Sequence, residues 1–357
     1  MNYKDTLFFI GKCLTITHEE HNCVLVEKEL KKGNIDWDSV VKVSTSHYVF
    51  PALYCNLKHA DFLHYLPNDL VEYMKHITDL NRERNQQIIE QAKEINELLL
   101  SHNITPIFLK GTGNLLCGLY KDIAERMVGD IDFLADKNEA QICYDVIKTS
   151  GYTKKISDLF DDHRHLPRIT HPNKIAAIEI HKEILREEKS IFFNYQSVEN
   201  SLIKVNNYTL LSYKDQIKLT VYSKLINDYQ FIKKGINLRA AYDFYLQGNR
   251  LEKKEIFTDK ELSKELNAGI SLYSTILEKP KKIEFTTTKL SEKFIHEAIK
   301  NLNINYKTQL FKKLTNSYIF FYQRIKILLR AFYKKDYLLF ITSRITNINW
   351  YKRKLGI

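Results

Sequence analysis

The sequence predicts an α+β protein in which a small mixed β-sheet, with helices of its own, is embedded in a mostly helical chain. Apolar residues recur mainly at helical steps of three and four positions, and strand-like runs are confined to one central segment. Turn formers are scarce, with 11 Gly and 6 Pro in 357 residues, whereas a protein of many hairpins needs more of both. We therefore expect an N-terminal helical region at 1–100, an α/β core at 101–210 and a C-terminal helical region at 211–357.

The composition argues against several classes of protein. A hydrophobic fraction of 44% and a charged fraction of 27% are ordinary for globular proteins, so wholesale disorder is not expected. The N-terminal apolar run is short, and no run approaches the roughly 18 residues of a membrane span. We therefore expect no transmembrane segment. The cysteines are widely spaced without a C-x-x-C motif, which argues against a disulfide framework or a zinc knuckle and favours reduced thiols in a cytoplasmic protein. They are Cys13, Cys23, Cys55, Cys117 and Cys143.

Two helical patterns precede the central segment. The range 36–54 begins with Asp36-Trp37-Asp38, whose acids fit a helix cap and a first-turn acid. The range 67–100 has the clearest apolar periodicity of the chain, and we expect that helix to stop at the turn-prone residues 101–103.

The central segment alternates strand and helix patterns. Apolar runs predict strands at 105–109, 131–135 and 152–156, and amphipathic runs predict helices at 111–120 and 137–150. Residues 164–171 and 175–181 flank Pro172-Asn173, which predicts a hairpin. This order is typical of a small mixed sheet with helices on one side.

Helical patterns resume after residue 212. They cover 215–229, 238–247, 290–302 and 310–351, with a largely polar interval at 248–289.

The net charge of +11 is confined to the C-terminus. Residues 1–306 hold 42 basic and 42 acidic groups, whereas the basic tail at 307–357 holds twelve basic residues and one acid, Asp336. The charge therefore raises a local question about partners and does not mark the whole protein as a nucleic-acid binder. Three interpretations of the tail stay open: a packed helix with a basic outer face, a surface for RNA or an acidic acceptor, or attachment to an anionic membrane surface.

The sharpest local feature is Gly129-Asp130-Ile131-Asp132-Phe133. Side chains alternate along a strand, so Asp130 and Asp132 share a face about 7 Å apart, while Ile131 and Phe133 face the core. Two neighbouring carboxylates repel each other unless a cation lies between them, and paired divalent metals about 3.5–4 Å apart serve in-line phosphoryl transfer. On this pattern alone, solvated acids at a strand end are an equal alternative.

A second candidate feature joins the first strand to the following helix. The charge of Lys110, the close backbone approach at Gly111, the hydroxyl of Thr112 and the helix N-terminus together fit a triphosphate seat. An ordinary strand–helix turn is the alternative. Arg126, four residues before Asp130, fits either a phosphate clamp or a structural salt bridge.

The predicted hairpin carries the third feature. Ile178-Glu179-Ile180-His181 alternates apolar and polar residues, so Glu179 and His181 share a face. If this strand neighbours 131–135, Glu179 becomes a third carboxylate beside the aspartates. Four histidines surround the hairpin, a higher density than expected for 12 in 357 residues: His163, His165, His171 and His181.

Together these residues resemble the uncharacterised bacterial nucleotidyltransferase family, a branch of the DNA polymerase beta-like nucleotidyltransferase superfamily. The resemblance rests on the order Lys110-Gly111, Tyr120, Arg126, Gly129-Asp130-Ile131-Asp132 and Glu179-Ile180-His181, and more loosely on Leu211-Ser212 and Arg239 through Asp243. It covers about 40–250, with its motif core at 105–183. The Gly-Ser pair usual in the superfamily is Gly111-Thr112 here, and the gap to Asp130 is longer than in minimal members, as in the long-gap style of this family.

The resemblance implies a nucleotidyltransferase core that moves an NMP from an NTP to a hydroxyl of an unknown acceptor, which is a small molecule, an RNA or a protein. It implies that Asp130, Asp132 and Glu179 are catalytic and hold two Mg²⁺ ions. The implied nucleotide-binding residues are Lys110, Gly111, Thr112, Arg126 and Gly129, and those near the acceptor or behind the catalytic residues are His163, His165, His181, Arg239 and Asp243. The alternative is a non-catalytic relative that binds nucleotide or nucleic acid with the basic tail, although the intact carboxylate set argues against it.

Overall fold

The computed structural model describes residues 1–154, 163–303 and 305–345. The chain divides into two compact units, a larger one of Met1–Lys155 with Arg164–Ile304 and a smaller one of Ile156–His163 with Asn305–Ile357. The predicted boundaries at 100 and 210 both fall inside the larger unit, and they stay predictions.

Five helices form the N-terminal part of the larger unit: α1 (Tyr3–Cys13), α2 (Glu20–Lys31), α3 (Trp37–Ser46), α4 (Phe50–His59) and α5 (Asn68–Ser101). The long helix α5 confirms the strongest periodicity in the sequence. The single helix predicted over 36–54 is wrong, because Tyr48 adopts a left-handed φ of 57° that ends α3 and re-aims the chain into α4. Asp36 does cap α3, since its carboxylate accepts from the backbone N–H of Ser39.

The central segment forms one mixed sheet of seven short strands: β1 (Ile107–Phe108), β2 (Asp130–Leu134), β3 (Thr153–Lys154), β4 (Ile169–Thr170), β5 (Ala177–His181), β6 (Ile203–Val205) and β7 (Tyr208–Leu210). Their spatial order is β3-β4-β5-β2-β1-β7-β6. Strand β2 runs antiparallel to β1 and parallel to β5, and β4 pairs with β5 as the predicted hairpin. This sheet confirms the α+β prediction. Strands β6 and β7 were not predicted, and the end of the strand predicted at 152–156 lies outside the described residues.

The helices of the sheet region are α6 (Lys110–Leu116), α7 (Ala140–Thr149) and the short α8 (Tyr195–Val198). The helix predicted over 111–120 is shorter than expected, since the chain turns at Gly118 with a φ of 61°. Helix α5 packs against both α6 and α7. Its buried amides also hold the loop before β2: Asn85 donates to the backbone carbonyls of Ile123 and Arg126.

Five more helices complete the larger unit: α9 (Tyr213–Tyr222), α10 (Gln230–Lys233), α11 (Leu238–Asn249), α12 (Ser263–Ile276) and α13 (Lys289–Lys300). Two short parallel strands lie among them, β8 (Glu255–Ile256) and β9 (Ile283–Glu284). The description of 248–289 as a largely polar interval missed α12, which packs against α9, α11 and α13. Its buried residues face several directions at once, so it lacks the amphipathic period that reveals a surface helix.

The smaller unit contains α14 (Tyr306–Ala331) and α15 (Lys335–Ile345). The helical pattern predicted over 310–351 overlaps both, although α14 begins four residues earlier and the end of the predicted range lies outside the described residues. Asn305 caps α14 through the backbone N–H of Thr308, and Arg330 donates to the Tyr337 hydroxyl at 2.9 Å. Among the described residues, no helix combines the length and the apolar character that crossing a membrane requires. The three interpretations of the basic tail stay predictions.

Candidate active site

The pairing of β2 with β5 places the predicted carboxylates side by side. Asp132 lies directly opposite Glu179 in the parallel register, and Asp130 lies opposite Ala177. Ile131 and Phe133 are fully buried in the core. Because side chains alternate along a strand, Asp130, Asp132 and Glu179 share one face of the sheet.

Asp132, Glu179 and His181 form a cluster suited to a divalent cation. One ligand atom of each lies within 4.8 Å of the others. His181 Nε2 lies 2.8 Å from Asp132 Oδ1 and 3.8 Å from Glu179 Oε2. Two carboxylate oxygens and an imidazole nitrogen are common ligands of divalent cations in proteins.

Electrostatics keep Asp132 ionised and His181 neutral, the forms in which each can bind a metal, and they act in the opposite direction on Asp130. Burial, followed by the charge of Lys110, lowers the pKa of His181 to about 3, so the imidazole is neutral at physiological pH. Burial alone would raise the pKa of Asp132, but Lys110 and His181 outweigh it and hold that pKa well below its usual value. Burial, together with the charges of Glu179 and Asp132, raises the pKa of Asp130 against the opposing effect of Arg168.

Lys110 contacts the carboxylate cluster directly. Its Nζ lies 2.6 Å from Asp132 Oδ1 and 3.3 Å from His181 Nε2. The residue has a left-handed φ of 52° at the first position of α6, a backbone strain that is typical of functional sites. The predicted phosphate-binding cation is therefore paired with a carboxylate in this structure.

The predicted nucleotide-binding residues Gly111, Thr112 and Gly129 have different surroundings. Gly111 and Thr112 lie in the first turn of α6, and Gly129 directly precedes β2. A Cβ on Gly111 would lie 3.0 Å from Val128 Cγ2, so the close approach predicted here is to protein rather than to open space. The Thr112 side chain is buried, and its hydroxyl donates to the backbone carbonyl of Asp130 at 2.9 Å. Gly129 lines the cavity described below, and its carbonyl accepts from Arg84. Helix α6 spans only seven residues, which limits the dipole available at its N-terminus.

Arg126 and Asp243 form a buried ion pair. Arg126 Nε lies 3.1 and 3.0 Å from the two carboxylate oxygens of Asp243, and the Tyr120 hydroxyl donates to the same carboxylate at 2.7 Å. This is the salt-bridge alternative left open for Arg126, and it ties the loop before β2 to α11. The guanidinium still lines the cavity.

Arg168 is a residue of the site that was not predicted from the sequence. Its Nη2 lies 2.5 Å from Asp130 Oδ2 and 2.9 Å from Glu179 Oε1. The antiparallel pairing of Ile169 with Ile178 puts Arg168 across from Glu179. Arg168 lies within the predicted hairpin, so a known pairing register between its two strands would have placed Arg168 opposite Glu179 from the sequence.

A cavity of about 520 Å³ opens above the carboxylate face. From the predicted set, its lining includes the three carboxylates of β2 and β5 together with Lys110, Arg126, Arg239 and Asp243. Residues that were not predicted also line it, among them Tyr48, Arg84 and Arg164. Tyr48 and Arg84 come from parts of the chain far from the predicted motifs, so no local motif could have marked them, whereas Arg164 lies between the predicted His163 and His165.

The remaining predicted histidines lie at different places. The ring of His165 packs edge-on against that of His181 with centroids 5.4 Å apart, and burial lowers the pKa of His165 to about 4. His163 belongs to the smaller compact unit. Their proposed roles near the acceptor stay predictions.

Comparison with known proteins identifies the family. A family model described as an uncharacterised nucleotidyltransferase matches residues 33–271, more than half of the chain. The matched range contains β1, β2 and β5 with Asp130, Asp132 and Glu179. Neither the curated proteins nor the solved structures contain a significant match. The chain, with its paired carboxylates facing one cavity, therefore belongs to this family of uncharacterised nucleotidyltransferases.

Proposed function

We propose that the protein is a Mg²⁺-dependent nucleotidyltransferase that moves an NMP from an NTP to a hydroxyl of an acceptor. The observation that carries the proposal is the register of β2 and β5, which puts Asp132 opposite Glu179 on the face that borders the cavity. Membership of the nucleotidyltransferase family supports the same reaction class.

The donor set fits the implied metal. Asp132 and Glu179 belong to the cluster that could hold a cation, and Asp130 lies on the same face of the sheet. The three residues would hold two Mg²⁺ ions through carboxylate oxygens, and His181 Nε2 would orient Asp132. When bound, the ions would neutralise phosphate charge and lower the pKa of the acceptor hydroxyl. His181 Nδ1 is buried without a hydrogen-bond partner in the part of the chain that the structure describes, so the ring orientation is left to its Nε2 contacts.

The basic residues that line the cavity make it suitable for a polyanion such as a nucleotide. Lys110 keeps Asp132 ionised and therefore ready to take a cation. Lys110, Gly111, Arg126 and Gly129 all line the cavity, and we propose that they border the nucleotide. The Thr112 hydroxyl holds the Asp130 carbonyl, which supports a role in fixing the start of β2. A cavity of this size lies within the range of about 300–1,000 Å³ that is usual for small-molecule sites.

The test is transfer of label from each NTP. Full-length protein, Mg²⁺ and cell extract are incubated with each α-labelled NTP, and the labelled product is identified. We expect Asp130→Asn and Asp132→Asn to abolish transfer, with Asp145→Asn, an exposed acid on α7, as the matched control. Wild-type turnover in both site variants would contradict the proposal, and nucleotide binding without transfer in the unaltered protein would instead support a non-catalytic relative.

A further inference from the structure

Two arginines from separate helices converge on the segment that leads into β2. Arg84 of α5 donates from Nε to the carbonyl of Val128 and from Nη2 to that of Gly129, both at 3.3 Å. Arg239 of α11 donates to the carbonyl of Met127 at 3.5 Å. Both guanidiniums therefore border the cavity immediately before the strand that carries Asp130.

Neither of these two arginines forms an ion pair with the residues that the structure describes, and the charge of Asp243 offsets that of Arg239 only in part. Within the described ranges 1–154, 163–303 and 305–345, no ion pair joins Arg84 or Arg239 to a carboxylate; their hydrogen bonds go to neutral carbonyls. Burial, followed by the charge of Arg126, lowers the pKa of Arg239 to about 10. A desolvated cation without a paired anion is costly, and a bound anion would offset that cost.

Three other cations of the cavity are already held in ion pairs. Lys110 is paired with Asp132, Arg126 with Asp243, and Lys224 with Asp228. Arg164 lies in the field of Asp132 and Glu179. At the triphosphate site expected around Lys110 and Arg126, both cations are therefore paired with carboxylates of the protein. The part of the cavity lining at Arg84 and Arg239 has no such pairing among the described residues.

We propose that Arg84 and Arg239 form an anion subsite that takes the β- and γ-phosphates of the nucleotide. This assignment rests on the proposed function and adds the residues that hold the part of the NTP that leaves as pyrophosphate. The planar forks of two guanidiniums match phosphate oxygens, and the ring of Tyr48, 4.9 Å from the Arg239 guanidinium carbon, limits the directions that Arg239 can take. The segment that these arginines hold leads directly into β2 with Asp130 and Asp132, and Glu179 lies on the neighbouring strand β5.

The test measures binding rather than turnover. Calorimetric titration of full-length protein with pyrophosphate, with each NTP and with each NMP, all in Mg²⁺, is compared between wild type, Arg84→Gln and Arg239→Gln. We expect each variant to lose about tenfold to a hundredfold in affinity for pyrophosphate and for the NTP, and to keep its affinity for the NMP. Arg250→Gln is the matched control, because Arg250 also donates to a backbone carbonyl but lies outside this cavity.

The possible outcomes separate this inference from the proposed function. Pyrophosphate and NTP affinities equal to wild type in both variants would overturn the subsite while leaving the transferase proposal intact. Weaker binding of pyrophosphate with unchanged NTP affinity would assign the arginines to an anion other than the nucleotide, such as a phosphorylated acceptor, and would also overturn it. If wild type binds neither NTP nor pyrophosphate, the proposed function fails and the subsite with it. A thermal melt checks the fold of each variant, and Arg84→Gln, at a partly buried position, carries the test if Arg239→Gln does not fold.

Discussion

The guanidinium of Arg168 lies 2.5 Å from the carboxylate of Asp130, and the same nitrogen lies 2.9 Å from Glu179. A single cation of the protein thus bridges two of the three carboxylates that we propose as metal ligands. A guanidinium and a divalent ion cannot occupy the same oxygens at once, so the two compete for this position.

Replacing Arg168 by Gln should strengthen divalent-metal binding in the absence of nucleotide. The reason is that the metal no longer displaces a bound cation before it reaches Asp130 and Glu179. We expect Mn²⁺ to bind about tenfold more tightly. One neighbouring opposite charge shifts the proton-binding equilibrium of a carboxylate by about tenfold or more, and the expected change in Mn²⁺ affinity is at the low end of that range. The measurement is Mn²⁺ titration followed by electron paramagnetic resonance.

Two comparisons make that result interpretable. Arg168→Lys keeps a cation without the planar fork, so its affinity should fall between wild type and Arg168→Gln. Arg250→Gln should match wild type, since it lies outside the cavity. If Arg168→Gln binds Mn²⁺ more weakly than wild type, the guanidinium orients the carboxylates and does not compete with the metal.

Glu179→Gln should weaken metal binding and abolish transfer together. The amide keeps the shape of the side chain but removes the charge beside Asp132, which lies opposite it in the sheet. We expect Mn²⁺ affinity to fall at least about tenfold, because a carboxylate is lost from the ligand set. Glu183→Gln is the matched control, since Glu183 pairs with Lys137 and does not line the cavity. Unchanged Mn²⁺ affinity in Glu179→Gln would remove Glu179 from the metal site.

Periodicity and alternation predicted the parts of this molecule that depend on local sequence. The apolar steps along 67–100 gave α5 to within one residue, and the alternation of Asp130 and Asp132 fixed the face that they share. The adjacency of β5 to β2 was a conditional prediction, and the observed register meets that condition.

What the sequence did not predict depends on tertiary packing. The break at Tyr48 requires a left-handed φ that aromatic residues seldom adopt, so propensity gives no warning of it. Arg84 and Arg239 are separated by more than 150 positions and meet only because α5 and α11 border one cavity. Helix α12 is apolar on several sides because it is surrounded by helices, which removes the periodic signal.

Asp243→Asn should destabilise the protein strongly, because it leaves the buried guanidinium of Arg126 without its anion. Breaking one side of a buried ion pair costs about 3–5 kcal/mol in the free energy of unfolding. Denaturant titration measures this, with Asp228→Asn as the control: the Asp228–Lys224 pair is more exposed, and its loss should cost about 1 kcal/mol or less. Equal losses in the two variants would mean that the buried pair contributes no more than a surface pair.

His47 makes the stability of the larger unit depend on pH. Its Nδ1 accepts from the backbone N–H of Leu238 at 3.3 Å, so its Nε2 carries the proton and donates to the Tyr3 hydroxyl at 2.9 Å. Burial lowers the pKa of His47 from 6.5 to about 4. At pH values between these two, His47 is protonated in the unfolded chain and neutral in the folded chain. The free energy of unfolding therefore falls as the pH falls through this window, by about 2 kcal/mol between pH 7.5 and pH 5.

Denaturant titrations at pH 7.5 and pH 5 of wild type and His47→Gln isolate this contribution. The pKa values of His165 and His181 are lowered in the same direction, so both proteins should lose stability on acidification. Gln cannot take up a proton, so the variant should lose about 2 kcal/mol less than wild type between the two pH values. The exposed His102→Gln should follow wild type at both pH values. An equal loss in wild type and His47→Gln would show that His47 takes up its proton equally in the folded and unfolded chain, against the lowered pKa that its burial implies.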